Sequence, residues 1–543
     1  MRRAVALAGV TALAVMGTGI VLPGIGAATA AAAAAKESPS PDQRPDLSRY
    51  YTQKIKWGDC EGEGEGTGLA TEGPATPAPA KDEVQCGKIT VPLDYAQPKR
   101  GKVDLAMVRI KSSGDKRGSL LLNFGGPGGA GVSGLLASQK EFAYLGKGYD
   151  VVSFDPRGVG QSSPVTCGDA DAEDPTAPAE EPDDDPGALL DEVKKISDEC
   201  AKESGPVLPY VGTINVSRDM DVMRQALGDK KLNYLGFSYG TRLGSVYAAQ
   251  FPKKVGRMVL DGVDTLTEPV AEQALVSAEG RQTALDNFLD WCTDNAGCVF
   301  GTDSRAAREH MAELIRGLDK YPLQSTDGAE FTGQDVVDVL GQALYSRQSW
   351  PALSQALGAL LADGDPRALL RMSGAMAQQT PGGRAVPKDL TEDIPADNMA
   401  AALMAVNCAD DPDRPDADSI EKEVAKLQEE FASTSAIFGK SMLMPVLFCF
   451  GRPPGTDYIR DEVRDLKSPD FLLVGTRGDP ATPYRWTEET AERLGSHAIV
   501  LDNKGDGHTG YAGSKCVREK VDGFLLYGEM PRNGSSCGAD EED

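Results

Sequence analysis

Five residues, Gly236-Phe237-Ser238-Tyr239-Gly240, constrain this chain more than any other feature. They follow a short apolar run, Leu232 to Leu235, and precede a segment with helical spacing, Leu243 to Ala249. In a strand–turn–helix setting, G-x-S-x-G describes a sharp turn that strains the serine backbone and lifts its hydroxyl above the end of a sheet. The flanking glycines let strand and helix approach closely, and the helix N-terminus favours negative charge at the serine. Such a turn requires strands that feed helices, so the surrounding sequence should alternate in the same way.

That alternation is present. Lys88 to Val91, Val103 to Lys111, Ser119 to Phe124, Tyr149 to Phe154 and Arg257 to Leu260 read as strands, and Ser217 to Leu227 reads as a helix. From about 266 to 440 the pattern changes. Glu272 to Thr293, Arg305 to Leu318, Gly333 to Tyr345, Trp350 to Ala362 and Ile420 to Phe431 have helical spacing with no strong strand between them. Strand patterns return at Phe471 to Val474 and at His497 to Leu501. The expected architecture is an α/β-hydrolase fold, a mostly parallel doubly wound sheet split by a mainly helical cap. The expected boundaries are 56–265 for the first part of the core, 266–440 for the cap and 441–538 for the C-terminal part of the core. An acidic tail, 539–543, follows.

A serine is a weak nucleophile and needs a base, and the chain has three histidines. His310 lies in a polar cap helix and reads as a surface residue, and His497 begins a strand and reads as structural. His508 follows a strand in the loop Gly505-Asp506-Gly507-His508 and is the expected base. The carboxylate that orients it is expected at Asp479, in Gly478-Asp479-Pro480-Ala481-Thr482-Pro483, which gives the chain order Ser, Asp, His. Asp502 and Asp506 are rivals, and Thr482 could bond Asp479. Acyl transfer also needs donors for an oxyanion. These are expected from the N–H of Tyr239 and from the loop Asn123-Phe124-Gly125-Gly126-Pro127-Gly128-Gly129, with Gly126 chosen and Gly125 next. Pro127 and the lack of a following lysine argue against a phosphate loop. Arg157, in Asp155-Pro156-Arg157-Gly158-Val159-Gly160, is expected in a structural salt bridge.

Met1-Arg2-Arg3 followed by an apolar stretch to Leu22 and small residues to Ala35 has the layout of a secretory signal peptide, expected over 1–35. Residues 36–55 then read as a flexible N-terminus or propeptide, and 61–82 and 169–186 as surface loops. Ten cysteines in an exported chain imply disulfides. Cys60 and Cys86 could staple the 61–82 loop, and Cys292 with Cys298, Cys167 with Cys200, Cys408 with Cys449 and Cys516 with Cys537 are sequential guesses. No Cys-x-x-Cys spacing exists, so no metal is expected, and no other cofactor is required. A net charge of −26 argues against nucleic acid, and no later apolar run is long enough for stable membrane insertion.

Taken as a set, Gly125-Gly126-Pro127-Gly128-Gly129, Asp155-Pro156-Arg157-Gly158-Val159-Gly160, Gly236-Phe237-Ser238-Tyr239-Gly240 and Asp479-Pro480-Ala481-Thr482-Pro483 resemble the secreted tripeptidyl aminopeptidases of actinomycetes, relatives of proline iminopeptidase. The resemblance runs from about Lys56 to Cys537. It implies a serine exopeptidase that releases short peptides from the free N-termini of peptides or unfolded proteins. Phe124 departs from the pattern, standing where proline iminopeptidases carry a histidine. An aminopeptidase must also hold an ammonium group, and Asp410, in a segment resembling a Cys-x-Asp stretch of the family, is the carboxylate expected to do so. An esterase or lipase with the same triad is the rival reading, and a catalytically silent binding protein is a third.

Overall fold

The computed structural model describes residues 45–60, 83–168, 186–324, 330–378, 390–414, 420–439, 442, 446–447 and 449–538. The expected signal peptide, most of the two expected surface loops and the acidic tail lie outside them. Nine strands build one sheet: β1 (Val84–Pro92), β2 (Lys102–Ile110), β3 (Ser119–Asn123), β4 (Asp150–Phe154), β5 (Leu232–Phe237), β6 (Val255–Asp261), then β9 (Phe471–Gly478), β10 (Ala498–Asp506) and β11 (Ser535–Cys537). A two-stranded hairpin, β7 (Leu323–Gln324) and β8 (Glu330–Phe331), lies within the intervening helical segment. The sheet order is β1-β2-β4-β3-β5-β6-β9-β10-β11. Pairing is antiparallel from β1 to β2 and from β2 to β4, and parallel from β4 to β11.

Strand side chains alternate between two apolar layers, as a sheet covered on both faces requires. Leu121, Val152, Tyr234, Met258, Leu260 and Leu473 enter one layer. That layer is closed by α4 (Thr213–Ala226) and α5 (Tyr239–Gln250), through Met220, Met223, Leu243 and Val246. Leu120, Leu122, Val151, Leu235, Val259, Leu472 and Val474 enter the other. It is closed by α2 (Gly131–Ala137) and by the helix Lys515–Tyr527, through Leu135, Val517, Val521 and Phe524.

Between β6 and β9 run α6 (Val270–Asp294), α7 (Ser304–Lys320), α8 (Gly333–Ala343), α9 (Trp350–Asp363), α10 (Arg367–Gln378), α11 (Asn398–Asp410), α12 (Ile420–Thr434) and α13 (Tyr458–Glu462). They carry their own core, in which Leu285, Phe288, Met311, Phe331, Leu340, Trp350 and Leu357 are buried together. The remaining helices are α1 (Ser48–Tyr51), α3 (Pro186–Glu203), α14 (Tyr484–Leu494) and α15 (Lys515–Tyr527).

Residues 45–55 differ from the flexible segment expected of them. Tyr50 is buried and its hydroxyl donates to Pro98 O at 3.0 Å. The Gln53 amide exchanges two hydrogen bonds with the Thr90 backbone, at 2.7 and 2.9 Å, and Gly58 bridges Cys86. Side-chain bonds to the backbone of β1 and of the loop after it, with the burial of Tyr50, outweigh the polar composition of the segment. Five disulfides join Cys60–Cys86, Cys167–Cys200, Cys292–Cys298, Cys408–Cys449 and Cys516–Cys537, which are the sequential pairs. No described helix is long and apolar enough to cross a membrane.

Arg157 is fully buried and every one of its N–H groups has an acceptor. Nε and Nη2 reach the two oxygens of Asp219 at 2.7 Å each, Nη1 reaches Leu93 O and Tyr210 O, and Nη2 also reaches Pro92 O. This fork ties the loop after β4 to α4 and to the end of β1. Arg157→Leu strands the Asp219 charge, so it is expected to lower the unfolding free energy by about 3–5 kcal/mol in urea titrations. Arg157→Leu with Asp219→Leu is expected to cost less than the single change, because no unpaired charge is left.

Candidate active site

The parallel strands end along one edge, where Gly126 follows β3, Ser238 follows β5, Asp479 follows β9 and His508 follows β10. Ser238 directly follows β5 with φ 55° and ψ −127°, a left-handed conformation imposed on a residue with a side chain. Three hydrogen bonds hold it. Its N–H donates to Asp261 O at 2.9 Å, and its carbonyl accepts from Thr241 N and Thr241 Oγ1 at 2.8 and 2.7 Å. Tyr239 is the first residue of α5, so its N–H has no intrahelical acceptor.

The glycine loop after β3 comes against this turn from the side. A Cβ built on Gly125 would lie 2.6 Å from Phe237 O, 2.9 Å from Ser238 Cβ and 3.3 Å from Tyr239 N, and Gly125 itself has φ +88°. Only glycine fits there on both counts. The Gly125 N–H is taken by Asn123 Oδ1 at 3.1 Å. Gly126 is exposed, and no acceptor among the described residues binds its N–H. The second donor chosen from sequence is thus the open one.

Asp479 stands just past β9, buried, and faces five donors. Ala481 N, Thr482 N, Thr482 Oγ1 and Thr509 N donate at 2.8–3.1 Å, and His508 Nδ1 lies 2.9 and 3.0 Å from its two oxygens. Burial alone would raise the Asp479 carboxyl. The charge and hydrogen bond of His508, with the loop N–H groups, reverse this and hold it below its ordinary value. The imidazole is 14% exposed. Burial disfavours its charged form, but the charge and bond of Asp479 outweigh that, with Asp261 and Asp264 adding to them, and the His508 pKa is raised. Asp506 faces elsewhere, to Asn287 and Arg347, and Asp502 pairs with Arg477. His497 pairs with Asp470 near the surface, and His310 is exposed.

Helices from the cap segment complete the surroundings. Tyr345, just past α8, accepts the His508 N–H at 2.9 Å, and its ring meets the imidazole edge-on at 5.0 Å. Tyr345 carried no signal in the sequence, because a loop carbonyl more than 150 residues away has no motif. Asp261 was also missed. Its one local signal is an acid ending a buried apolar strand beside a glycine, Leu260-Asp261-Gly262. Its carboxylate accepts Gly510 N and Tyr511 N at 2.8 Å each, and burial still lifts it to about 6.

Asp410, expected from sequence to hold an amine, has internal partners. It is buried at the end of α11, where Oδ1 accepts Thr213 N at 2.8 Å and Oδ2 accepts Thr213 Oγ1 at 2.5 Å. Arg242 Nη1 lies 3.8 Å away, and Thr213 Oγ1 in turn meets Tyr239 Oη at 2.6 Å. Both oxygens serve an internal network that joins α11, α4 and α5. A single acid among 82 gave no sign of this from sequence.

A family model described as a TAP-like protein matches residues 434–537, and one described as the alpha/beta hydrolase fold matches residues 119–397. The chain is 34% identical over 475 residues to serine protease Hip1 of Mycobacterium tuberculosis, covering 83% of this chain and 87% of that protein. It is 30% identical over 476 residues to tripeptidyl aminopeptidase of Streptomyces coelicolor, covering 84% and 83%. It is 31% identical over 544 residues to carboxylesterase B of Mycobacterium tuberculosis, covering 96% and 97%. The alpha/beta hydrolase fold match holds Ser238 and the TAP-like match holds Asp479 and His508, so both halves of the split core carry the resemblance. The chain belongs to the TAP-like α/β-hydrolase family and is a serine hydrolase of the peptidase or esterase type.

Proposed function

We propose that this protein is an exported serine exopeptidase that releases short peptides, tripeptides in the first instance, from free N-termini. The observation that carries the chemistry is the bond between His508 Nδ1 and Asp479 at the same sheet edge as the strained Ser238. Asp479 fixes the tautomer, which leaves Nε2 unprotonated and able to take the Ser238 hydroxyl proton. The Ser238 oxygen attacks the scissile carbonyl carbon, and the Tyr239 and Gly126 N–H groups receive the oxyanion. Collapse expels the amine, which takes the proton back from His508. A water, deprotonated by the same imidazole, then releases the peptide acid and restores Ser238. The preference for peptides rests on the relatives named serine protease and tripeptidyl aminopeptidase. Export rests on the N-terminal charge and apolar run and on the pairing of all ten cysteines. The relative named carboxylesterase B supports an esterase as the second reading.

Release of aminomethylcoumarin from Ala-Pro-Ala substrates with free and acetylated N-termini separates these readings. Wild type is expected to cleave the free form, and Ser238→Ala neither. Equal cleavage of both forms would leave no amine recognition, and cleavage of simple esters alone would establish the esterase.

Because the base must be neutral to accept a proton, a raised His508 pKa moves the loss of activity to higher pH. The acid limb of kcat/KM is expected above 6.5, the ordinary value for histidine. Asp479→Asn is expected to lower that limb and to reduce kcat by about 10⁴-fold. Gly125→Ala would push a methyl between Ser238 and the Tyr239 N–H. It is expected to reduce kcat by roughly 10²-fold or more, with KM little changed, in the same coumarin assay.

A further inference from the structure

Asp261 touches both halves of the catalytic apparatus while belonging to neither. It ends β6, register-paired with Phe237 of β5. Its main-chain carbonyl accepts the Ser238 N–H at 2.9 Å, which is one of the three bonds holding the strained serine. Its carboxylate reaches the other way. Oδ1 accepts Gly510 N and Oδ2 accepts Tyr511 N, the two N–H groups that follow His508-Thr509. The side chain is fully buried, and the residue after it, Gly262, has His508, Thr509 and Thr482 atoms within about 3.5 Å of where a Cβ would stand. Asp261 and Asp479 thus grip the turn 509–511 from two sides, Asp479 at Thr509 N and Asp261 at the next two.

We propose that Asp261 is a positioning residue for catalysis, a second carboxylate that fixes the His508 loop relative to Ser238 and supports the imidazolium charge. This rests on the reading of His508 as the base. Two N–H groups hold the carboxylate against the turn that follows His508, close enough for its charge to act on the imidazole. The charged groups that act here are Asp479 and His508 on one side, and Asp264, which is paired with Arg242 at 2.9 Å. Asp264 therefore has a cation of its own, while Asp261 is bonded to neutral backbone N–H groups. A buried carboxylate without a cation is costly unless a neighbouring positive charge forms, and the protonated imidazole of the catalytic cycle is such a charge.

The test uses Asp261→Asn, which keeps the shape and one acceptor and removes the charge. With three histidines in the chain, the His508 imidazole resonance can be followed directly by NMR in the full-length protein. The His508 midpoint is expected to fall by roughly one pH unit, and the acid limb of kcat/KM to move with it. The kcat is expected to fall by roughly ten-fold with KM little changed. A midpoint and acid limb equal to wild type, with a lower Tm alone, would make Asp261 a fold residue and overturn the proposal. If Asp261→Asn does not accumulate as folded protein, wild type decides. The Gly510 and Tyr511 amide resonances are expected to shift with the His508 midpoint, and amides that ignore it would overturn the proposal equally. His508→Ala tests the underlying reading by itself. Retained reaction with a fluorophosphonate would remove His508 as the base, whereas an inactive His508→Ala with an unshifted Asp261→Asn midpoint removes only the role of Asp261.

Discussion

The hydrogen bond from Ser238 N–H to Asp261 O is the contact on which the site is built. It continues the β5–β6 ladder one residue beyond the strands, at a point where the chain has already turned into a left-handed conformation. A side chain there is strained, and it stays because the ladder, the Thr241 bonds and the close approach of Gly125 leave no room to relax. The sheet supplies the rest. Parallel strands deliver their ends to one edge, so Ser238 past β5 arrives at the same edge as Asp479 past β9 and His508 past β10, although most of the helical segment lies between them in the chain.

The electrostatics of that edge favour one partner. Asp479, Asp261 and Asp264 all act on His508, and the nearby guanidinium of Arg242 is shared between Asp264 and Asp410. The surplus is negative and is placed around His508, the base of the proposed reaction. Desolvation opposes a charged imidazole, and the acids more than offset it. The same arrangement would disfavour an anionic leaving group lingering in the cleft.

Much of this was legible in local sequence. The serine turn, the Asp479 loop and the His508 loop each follow an apolar strand by a few residues, so type and order identify them. The sheet was legible because buried parallel strands are short apolar runs. Other parts had no local mark. Residues 45–55 look like a tether but are held by the buried Tyr50 and by the Gln53 side-chain amide, which bonds the β1 backbone. The helix α11 is rich in Ala and Met on every side, so no period of 3.6 stands out. Asp410 sits at its end, and its partners Thr213 and Arg242 lie in two other helices, which only the folded chain brings together. Tyr345 reaches His508 through its carbonyl, a group that every residue has.

The disulfides close in strict succession: 60 to 86, 167 to 200, 292 to 298, 408 to 449, 516 to 537. No bridge encloses or crosses another. A chain that emerges from its N-terminus therefore presents each thiol to its proper mate before any competing thiol has appeared. Oxidation in order of emergence would therefore give the native set directly.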